Sequence, residues 1–272
     1  MVKLSTLRAL YLSIIVISFG CASAKKLETG NLVGQANYSI GGKMYTAAFQ
    51  QRAAEYKALC LQGYNIARWQ IANYKPQTSK PLAIITDIDE TILDNSPFAV
   101  HQGLLGKEYE SAAWKTWTDK ASADTMPGAA AFLKEMSKAG ITVFYITNRN
   151  ANEQQATIQN LSAFNLPNAD VAHVLTRQST SSKEERRNFV LGGHEVILLM
   201  GDNLADFTAV FEKKTEVARA QAVNELAGQF GNFFIVFPNA NYGDWESAMY
   251  GYNNNFTQLQ KDSVLKATLK SY

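Results

Sequence analysis

Disulfide bonds cannot hold this chain together. Among its 272 residues there are two cysteines, Cys21 and Cys60, and Cys21 falls in an N-terminal segment set aside below. One remaining thiol cannot close an intrachain bridge. Cys60 stands among Ala and Leu in a helical pattern, which suits a buried, inert thiol. Histidine is also scarce: His101, His173 and His194 show no metal-ligand spacing and read as structural or exposed. Neither sign of charge dominates. The formal net charge is +2, which leaves no footprint for a nucleic-acid polymer. The longest apolar stretch near the start, Ala9 to Phe19, is shorter than the roughly 20 residues that span a bilayer. No internal repeat or low-complexity tract is present.

The first residues read as a targeting segment. Lys3 and Arg8 form a basic start ahead of that apolar stretch. Two processing readings stay open. Ala22-Ser23-Ala24 suits a small-x-small cleavage site, which would remove residues 1–24. Ser18-Phe19-Gly20-Cys21 resembles a lipobox with Cys21 as the lipidated residue. Either way the expectation is an exported protein of the bacterial cell envelope, an outer-membrane lipoprotein or a soluble periplasmic protein. Any membrane contact would be through a lipid at Cys21.

Residues 25–80 read as an N-terminal helical segment. A polar, Gly-containing linker runs to about Gly42. From Tyr45 to Tyr74, Phe49, Ala53, Tyr56, Leu59, Ile66 and Trp69 recur at helical spacing, predicting one long helix or two short ones with those residues in the core. Residues 81–238 then alternate. Strand candidates are Leu82–Thr86, Ile141–Thr147, Val171–Leu175, Val196–Met200 and Phe233–Phe237. Helical patterns lie between them at Ala129–Ala139, Asn152–Phe164, Ser182–Leu191 and Leu204–Gln229. Short apolar strands alternating with helices predict an α/β protein with a parallel sheet covered on both faces. A polar and aromatic insert, 95–127, follows the first strand, and an insert that long reads as a cap. The tail, 239–272, is aromatic and Asn-rich, then helical.

Polar residues collect where the apolar strands stop. The first strand ends in Asp87-Ile88-Asp89-Glu90-Thr91, the second in Thr147-Asn148-Arg149 and the fourth in Gly201-Asp202-Asn203, with Asp206 four residues after Asp202. Lys183 opens the helix after the third. Ligands bind open parallel sheets outside the carboxyl ends of the strands. Unpaired charge at the rim of a core is costly, so these carboxylates imply a cation, a basic partner or a catalytic role.

The chemistry these parts suit is phosphoryl transfer through a covalent aspartyl phosphate. Asp87 would attack phosphorus. Like-charge repulsion opposes it, on the order of 4 kcal/mol per pair of unit charges at ~4 Å and an effective dielectric of about 20. A hard divalent cation would offset this, held by Asp87, Asp202 and a backbone oxygen near Asp89. Mg²⁺, one per chain, favours such an oxygen-only set. Lys183 adds positive charge, and Thr147 and Asn148 face the phosphoryl oxygens. Asp89 would protonate the leaving oxygen and then activate water. Asp206 would hold a water on the cation or orient Lys183. Asp94 reads as a turn or cap residue. A metal-dependent sugar transferase using Asp87 and Asp89 is the enzymatic alternative, but it leaves Lys183 and the Gly-Asp-Asn strand end unexplained.

Asp87-Ile88-Asp89-Glu90-Thr91-Ile92-Leu93-Asp94-Asn95, paired with Ile197 to Phe207, resembles the signatures of bacterial class C acid phosphatases. That family is the four-aspartate group of the haloacid-dehalogenase-like (HAD-like) superfamily. Residues 54–59, Tyr64-Asn65, Pro127-Gly128, Thr147-Asn148-Arg149 and residues 241–246 resemble its other landmarks. Thr86 and Phe98 are departures, standing where an aliphatic residue and Tyr are usual. The resemblance implies a Rossmann-like core and a small helical domain built from the chain ends and the insert. It implies metal ligation through the four aspartates Asp87, Asp89, Asp202 and Asp206, and often a homodimer. The implied activity is a broad phosphomonoesterase with an acidic optimum, whose substrates include nucleoside 5′-monophosphates. Such proteins stack the substrate ring between aromatics, and the matching positions are Tyr242 with Trp114 or Trp117. A HAD-like binding or storage protein without activity is a further alternative, and the presence of Asp87 argues against it.

Overall fold

The computed structural model describes residues 37–272. The targeting segment, Cys21 and both processing readings lie outside the described residues. At the centre is a five-stranded parallel sheet in the order β5-β4-β1-β6-β7. Its strands are β1 (Leu82–Thr86), β4 (Thr142–Asn150), β5 (Val174–Arg177), β6 (Glu195–Gly201) and β7 (Phe234–Val236). β2 (Leu93–Asp94) and β3 (Asp124–Thr125) form a small antiparallel pair at the two ends of the insert.

The middle strands are apolar because both faces are covered. Every residue of β6 is buried. Ile84, Val143, Tyr145, Leu198 and Met200 join one core, and Ala83, Ile85, Phe144, Ile146 and Leu199 join the other. Alternation by two along β1 and β4 sorts the residues. In β6 a bulge interrupts that count: Ala83 pairs with Val196 and Ile84 with Leu198, so Ile197 is the extra residue.

Helix α2 (Ala54–Asn73) lies over the first core through Tyr56, Cys60, Tyr64 and Ala67. α5 (Ala129–Lys138) adds Phe132, Leu133 and Met136 to the same core. α2 also holds two loops. Tyr64 Oη donates to the Thr91 carbonyl at 2.6 Å, and Tyr56 Oη donates to the Pro238 carbonyl at 3.1 Å. The insert forms α3 (Ser96–Leu104) and α4 (Ser111–Thr118). Asp94 Oδ1 accepts the Ser96 N–H, a cap for the start of α3. α1 (Tyr38–Arg52) packs on α3 and on α10 (Gln258–Thr268), so the first and last described helices meet beside the insert, while α6 (Gln154–Ala163) follows β4 and α9 (Asp244–Met249) follows β7.

Several elements differ from expectation. α1 starts at Tyr38, inside the expected linker. Its first N–H groups, on Tyr38 and Ser39, are capped by Asp262 of α10, a partner too distant in sequence to read locally. The N-terminal helices part at Ala53, whose backbone is extended. Phe49, Leu59 and Trp69, expected in the core, are exposed: α1 buries Ile40 and Ala47 rather than Phe49, and α2 buries the stripe of Tyr56, Cys60, Tyr64 and Ala67 rather than Leu59 and Trp69. The third strand runs Val174–Arg177 rather than Val171–Leu175. The helix expected over Leu204–Gln229 is broken into 3-10 turns (204–206, 209–211, 227–229) around α8 (Glu216–Glu225). Asn203, Thr208 and Thr215 each cap a new start there.

One carboxylate ties the α2–β1 connector to the sheet. Glu195 accepts the backbone N–H of Gln77 and Thr78, the Thr78 hydroxyl and the Tyr74 hydroxyl. These donors hold its carboxyl at about 2, below its usual value of 4.5. A depressed carboxyl stabilises the fold above its unfolded pKa and loses that contribution as pH falls towards the folded value. Glu195→Gln should therefore lower Tm at pH 6, with the deficit shrinking between about pH 4.5 and 2. Thermal melts of both proteins across that range check this.

Candidate active site

β1 and β6 are neighbours. The chain leaves β1 for β4 on one side and leaves β6 for β7 on the other. Their carboxyl ends therefore frame the crevice where open α/β sheets bind ligands. Asp87 follows β1 and Asp202 follows β6, so sheet order alone brings them together. Carboxylate oxygens of Asp87, Asp202 and Asp206 lie within 4.8 Å of one another.

Lys183, just before α7 (Glu184–Gly193), reaches into this cluster. Its Nζ donates to Asp87 Oδ1 and pairs with Asp206 Oδ1 at 2.7 Å. Lys183, Asp87 and Asp206 are all buried. Burial alone would lower the lysine's pKa, but Asp206 and Asp87 outweigh it and hold the ammonium above its ordinary value. The carboxylates show the opposite strain. Burial pushes Asp87 up to about 7, with Asp206 and Asp89 adding to the rise and Lys183 opposing it. Burial, then Asp206 and Asp87, pushes Asp202 well above its usual range. One ammonium does not neutralise three crowded carboxylates. A donor set made only of carboxylate oxygens, with Asp87 and Asp206 buried and Asp202 half-buried, fits a hard divalent cation.

Gly201 makes room for Asp206. A Cβ built there would meet the Asp206 side chain, with Cγ at 2.8 Å. Asp206 is held from the other side as well, its Oδ2 accepting the Asn203 N–H at 2.9 Å. Asn239, after β7, donates to Asp202 Oδ2 at 2.7 Å.

Asp89 is the fourth aspartate of the expected ligand set, and its side chain stands apart from the other three. Its carboxylate is not part of the three-carboxylate cluster but lies in the clamp of Arg149, whose Nη2 and Nε sit 2.7 and 3.0 Å from Oδ1. A buried guanidinium that meets a carboxylate through two N–H groups is a charge-assisted pair with a fixed geometry. Thr147 is buried in the carboxyl-terminal half of β4, with Oγ1 at 3.4 Å from Asp89 Oδ2. Asn148, expected at the phosphoryl oxygens, is exposed at the rim, with its side-chain oxygen taken by Arg186. Strand alternation buries 147 and 149 and leaves 148 exposed, where it lines the cavity beside Asp89.

A cavity of about 450 Å³ opens beside Asp89. Phe98, Tyr109, Trp114 and Tyr242 form its aromatic walls. Trp117 is not among its lining residues: it packs on the core, and its indole N–H donates to Asn95 Oδ1 at 2.8 Å. Tyr242 donates its hydroxyl to Glu90, a buried acid with a left-handed backbone (φ 58°). Burial, and then Asp89, pushes the Glu90 carboxyl up to about 8. Arg149, Glu90 and Asn239 received no role from the sequence. The inward position of Arg149, two residues after Thr147, was the available signal.

Sheet order, the crevice acids and the lysine define a HAD-like protein of the kind that handles phosphate esters. The family model for HAD superfamily subfamily IIIB (acid phosphatase) matches residues 12–245, and the chain belongs to that family. It is similar to the class C acid phosphatase from Bacillus anthracis. The two are 39% identical with a TM-score of 0.83, covering 87% of this chain and 100% of that one. A tungstate-bound structure of that phosphatase superposes with a TM-score of 0.82 at the same identity and coverage. Acid phosphatase 1 of Solanum lycopersicum is 27% identical over 130 residues, 45% of this chain and 50% of that protein. The stem 31 kDa glycoprotein of Glycine max is 22% identical over 128 residues, with the same shares. The chain thus matches about half the length of these two curated relatives.

Gly201→Ala should push the Asp206 carboxylate out of place and weaken divalent-metal affinity by about 10-fold or more, as displaced supporting groups do elsewhere. Calorimetric titration with Mg²⁺ measures this, and Gly228→Ala, where a Cβ meets open space, serves as the control.

Proposed function

We propose that the protein is an exported, Mg²⁺-dependent phosphomonoesterase that works through an aspartyl phosphate. One observation carries this reading: Asp87, Asp202 and Asp206 converge with Lys183 at the crevice between β1 and β6. Membership of an acid phosphatase family supports it.

A divalent cation held by Asp87, Asp202 and Asp206 would supply positive charge against a phosphoryl dianion. The chain's own groups do the rest. Lys183 fixes Asp87 through Oδ1, which leaves Oδ2 to attack phosphorus. As the Asp87–phosphorus bond forms, the bond to the ester oxygen breaks, and that oxygen takes a proton from Asp89. Asp89 then takes a proton from water, which attacks phosphorus and releases phosphate and the Asp87 carboxylate. Asp206 orients Lys183, and Thr147 offers its hydroxyl towards the phosphoryl group.

The aromatic walls next to Asp89 suit a leaving group that carries a flat ring, so nucleoside 5′-monophosphates are the proposed substrates. Tyr242 and Trp114 are the ring-facing candidates. The apolar segment after Lys3 and Arg8 supports export, with either a lipid on Cys21 or cleavage after Ala24.

Phosphate release from p-nitrophenyl phosphate and from a nucleoside 5′-monophosphate should require Mg²⁺ and stop with EDTA. Asp87→Asn should lower turnover on the order of 10³-fold or more while leaving Tm near the wild-type value. An Asp87→Asn protein with near-native turnover would rule out covalent catalysis. Mass spectrometry of the mature N-terminus decides between a lipid mass on Cys21 and a start at Lys25.

A further inference from the structure

The clamp on Asp89 is asymmetric. Its Oδ1 accepts three hydrogen bonds: from Arg149 Nη2 at 2.7 Å, Asn95 Nδ2 at 2.9 Å and Arg149 Nε at 3.0 Å. Its Oδ2 has only longer contacts, to Arg149 Nε at 3.3 Å and Thr147 Oγ1 at 3.4 Å. An oxygen facing three N–H donors has no room for a proton, whereas the other oxygen does.

The clamp is itself held. The Arg149 guanidinium is buried, with Nη1 donating to Thr157 Oγ1 at 3.1 Å. Its carbon sits over the Trp114 ring at 5.7 Å. Asn95 is oriented by the indole N–H of Trp117 on its side-chain oxygen. That bond leaves the Asn95 amide nitrogen to point at Asp89. The two tryptophans lie one turn apart on α4, so a single cap helix braces both donors to one carboxylate.

We propose that Arg149, together with Asn95, is the positioning residue that presents Asp89 Oδ2 as the oxygen exchanging protons with the leaving group, and that Trp114 and Trp117 brace this clamp. This rests on the phosphomonoesterase reading above. Arg149 acts through Asp89, and its effect therefore depends on how much the leaving group needs a proton. An alkoxide leaves poorly without one. A p-nitrophenolate leaves as the anion.

The test is kcat/KM on glycerol 2-phosphate and on p-nitrophenyl phosphate, with Mg²⁺. This parameter reports steps through ester cleavage and is blind to the later hydrolysis of the phosphoenzyme. Arg149→Met should lower kcat/KM on the alkyl ester by about 100-fold and on the aryl ester by no more than about threefold, the size expected for a misplaced general acid. Inhibition by inorganic phosphate should be unchanged. In an Asp89→Asn background, Arg149→Met should cost nothing further on the alkyl ester, because both changes remove the same action. If Arg149→Met does not fold, Arg149→Lys and Trp117→Phe carry the test. Lys keeps the charge and length of Arg149 without the fork, and Phe keeps an aromatic ring at 117 without the indole N–H, so each should show the same selective loss in milder form. Equal losses on both esters, or weaker phosphate inhibition in step with the rate, would overturn the proposal and make Arg149 a substrate-binding or purely structural residue. A wild-type protein that cleaves neither ester would overturn the phosphomonoesterase reading as well.

Discussion

The Lys183 ammonium, buried between Asp87 and Asp206, is the interaction on which the site depends. Three carboxylates at the rim of an apolar core repel one another and lose hydration, and both effects favour protonation over charge. The lysine relieves part of this and fixes the oxygen geometry of Asp87. What stays uncompensated is a demand for positive charge, and a cation-dependent reaction on a dianionic ester uses such a demand. Removing one partner of a buried charge cluster leaves the others exposed to the full desolvation cost, so the cluster works as a unit.

The fold exists to hold that unit still. Parallel pairing of β1 and β6 places Asp87 and Asp202 side by side without help from any loop. The loops are pinned as well, by Tyr64 on Thr91 and by Asn239 on Asp202. Gly201 lets Asp206 come close, since any side chain there would fill the space the carboxylate needs. Rigid placement matters because misplacing a reacting group by an ångström can cost about 100-fold in rate. The cap contributes through α4, which gives one wall of the ring-sized cavity and also braces Arg149 and Asn95 against Asp89.

Much of this was legible in the order of residues. Apolar runs such as Leu82–Ile85 and Val196–Met200, short and alternating with helical patterns, read as buried strands, and polar residues at their carboxyl ends mark the crevice rim of a parallel sheet. Local patterns failed where distant groups decide. Asp262 caps α1 from the far end of the chain, so Tyr38 starts a helix that its neighbours do not announce. Caps at Thr208 and Thr215 cut a helical pattern that periodicity alone would run through. In the site, spacing could not separate Trp114 from Trp117. The difference is whether each ring faces the cavity or the core, and only the packing of α4 settles that. Arg149 was hidden for a similar reason: an arginine at a strand end is ordinary until a carboxylate from another strand is seen lying in its fork.

The most direct measurement is anomalous diffraction from crystals soaked with Mn²⁺, which replaces Mg²⁺ in oxygen-ligand sites. The account predicts one strong peak per chain, within about 2.5 Å of oxygens of both Asp87 and Asp202 and clear of the Asp89 carboxylate. A peak elsewhere, or none in the crevice at saturating Mn²⁺, would contradict the shared-cation centre on which the account rests.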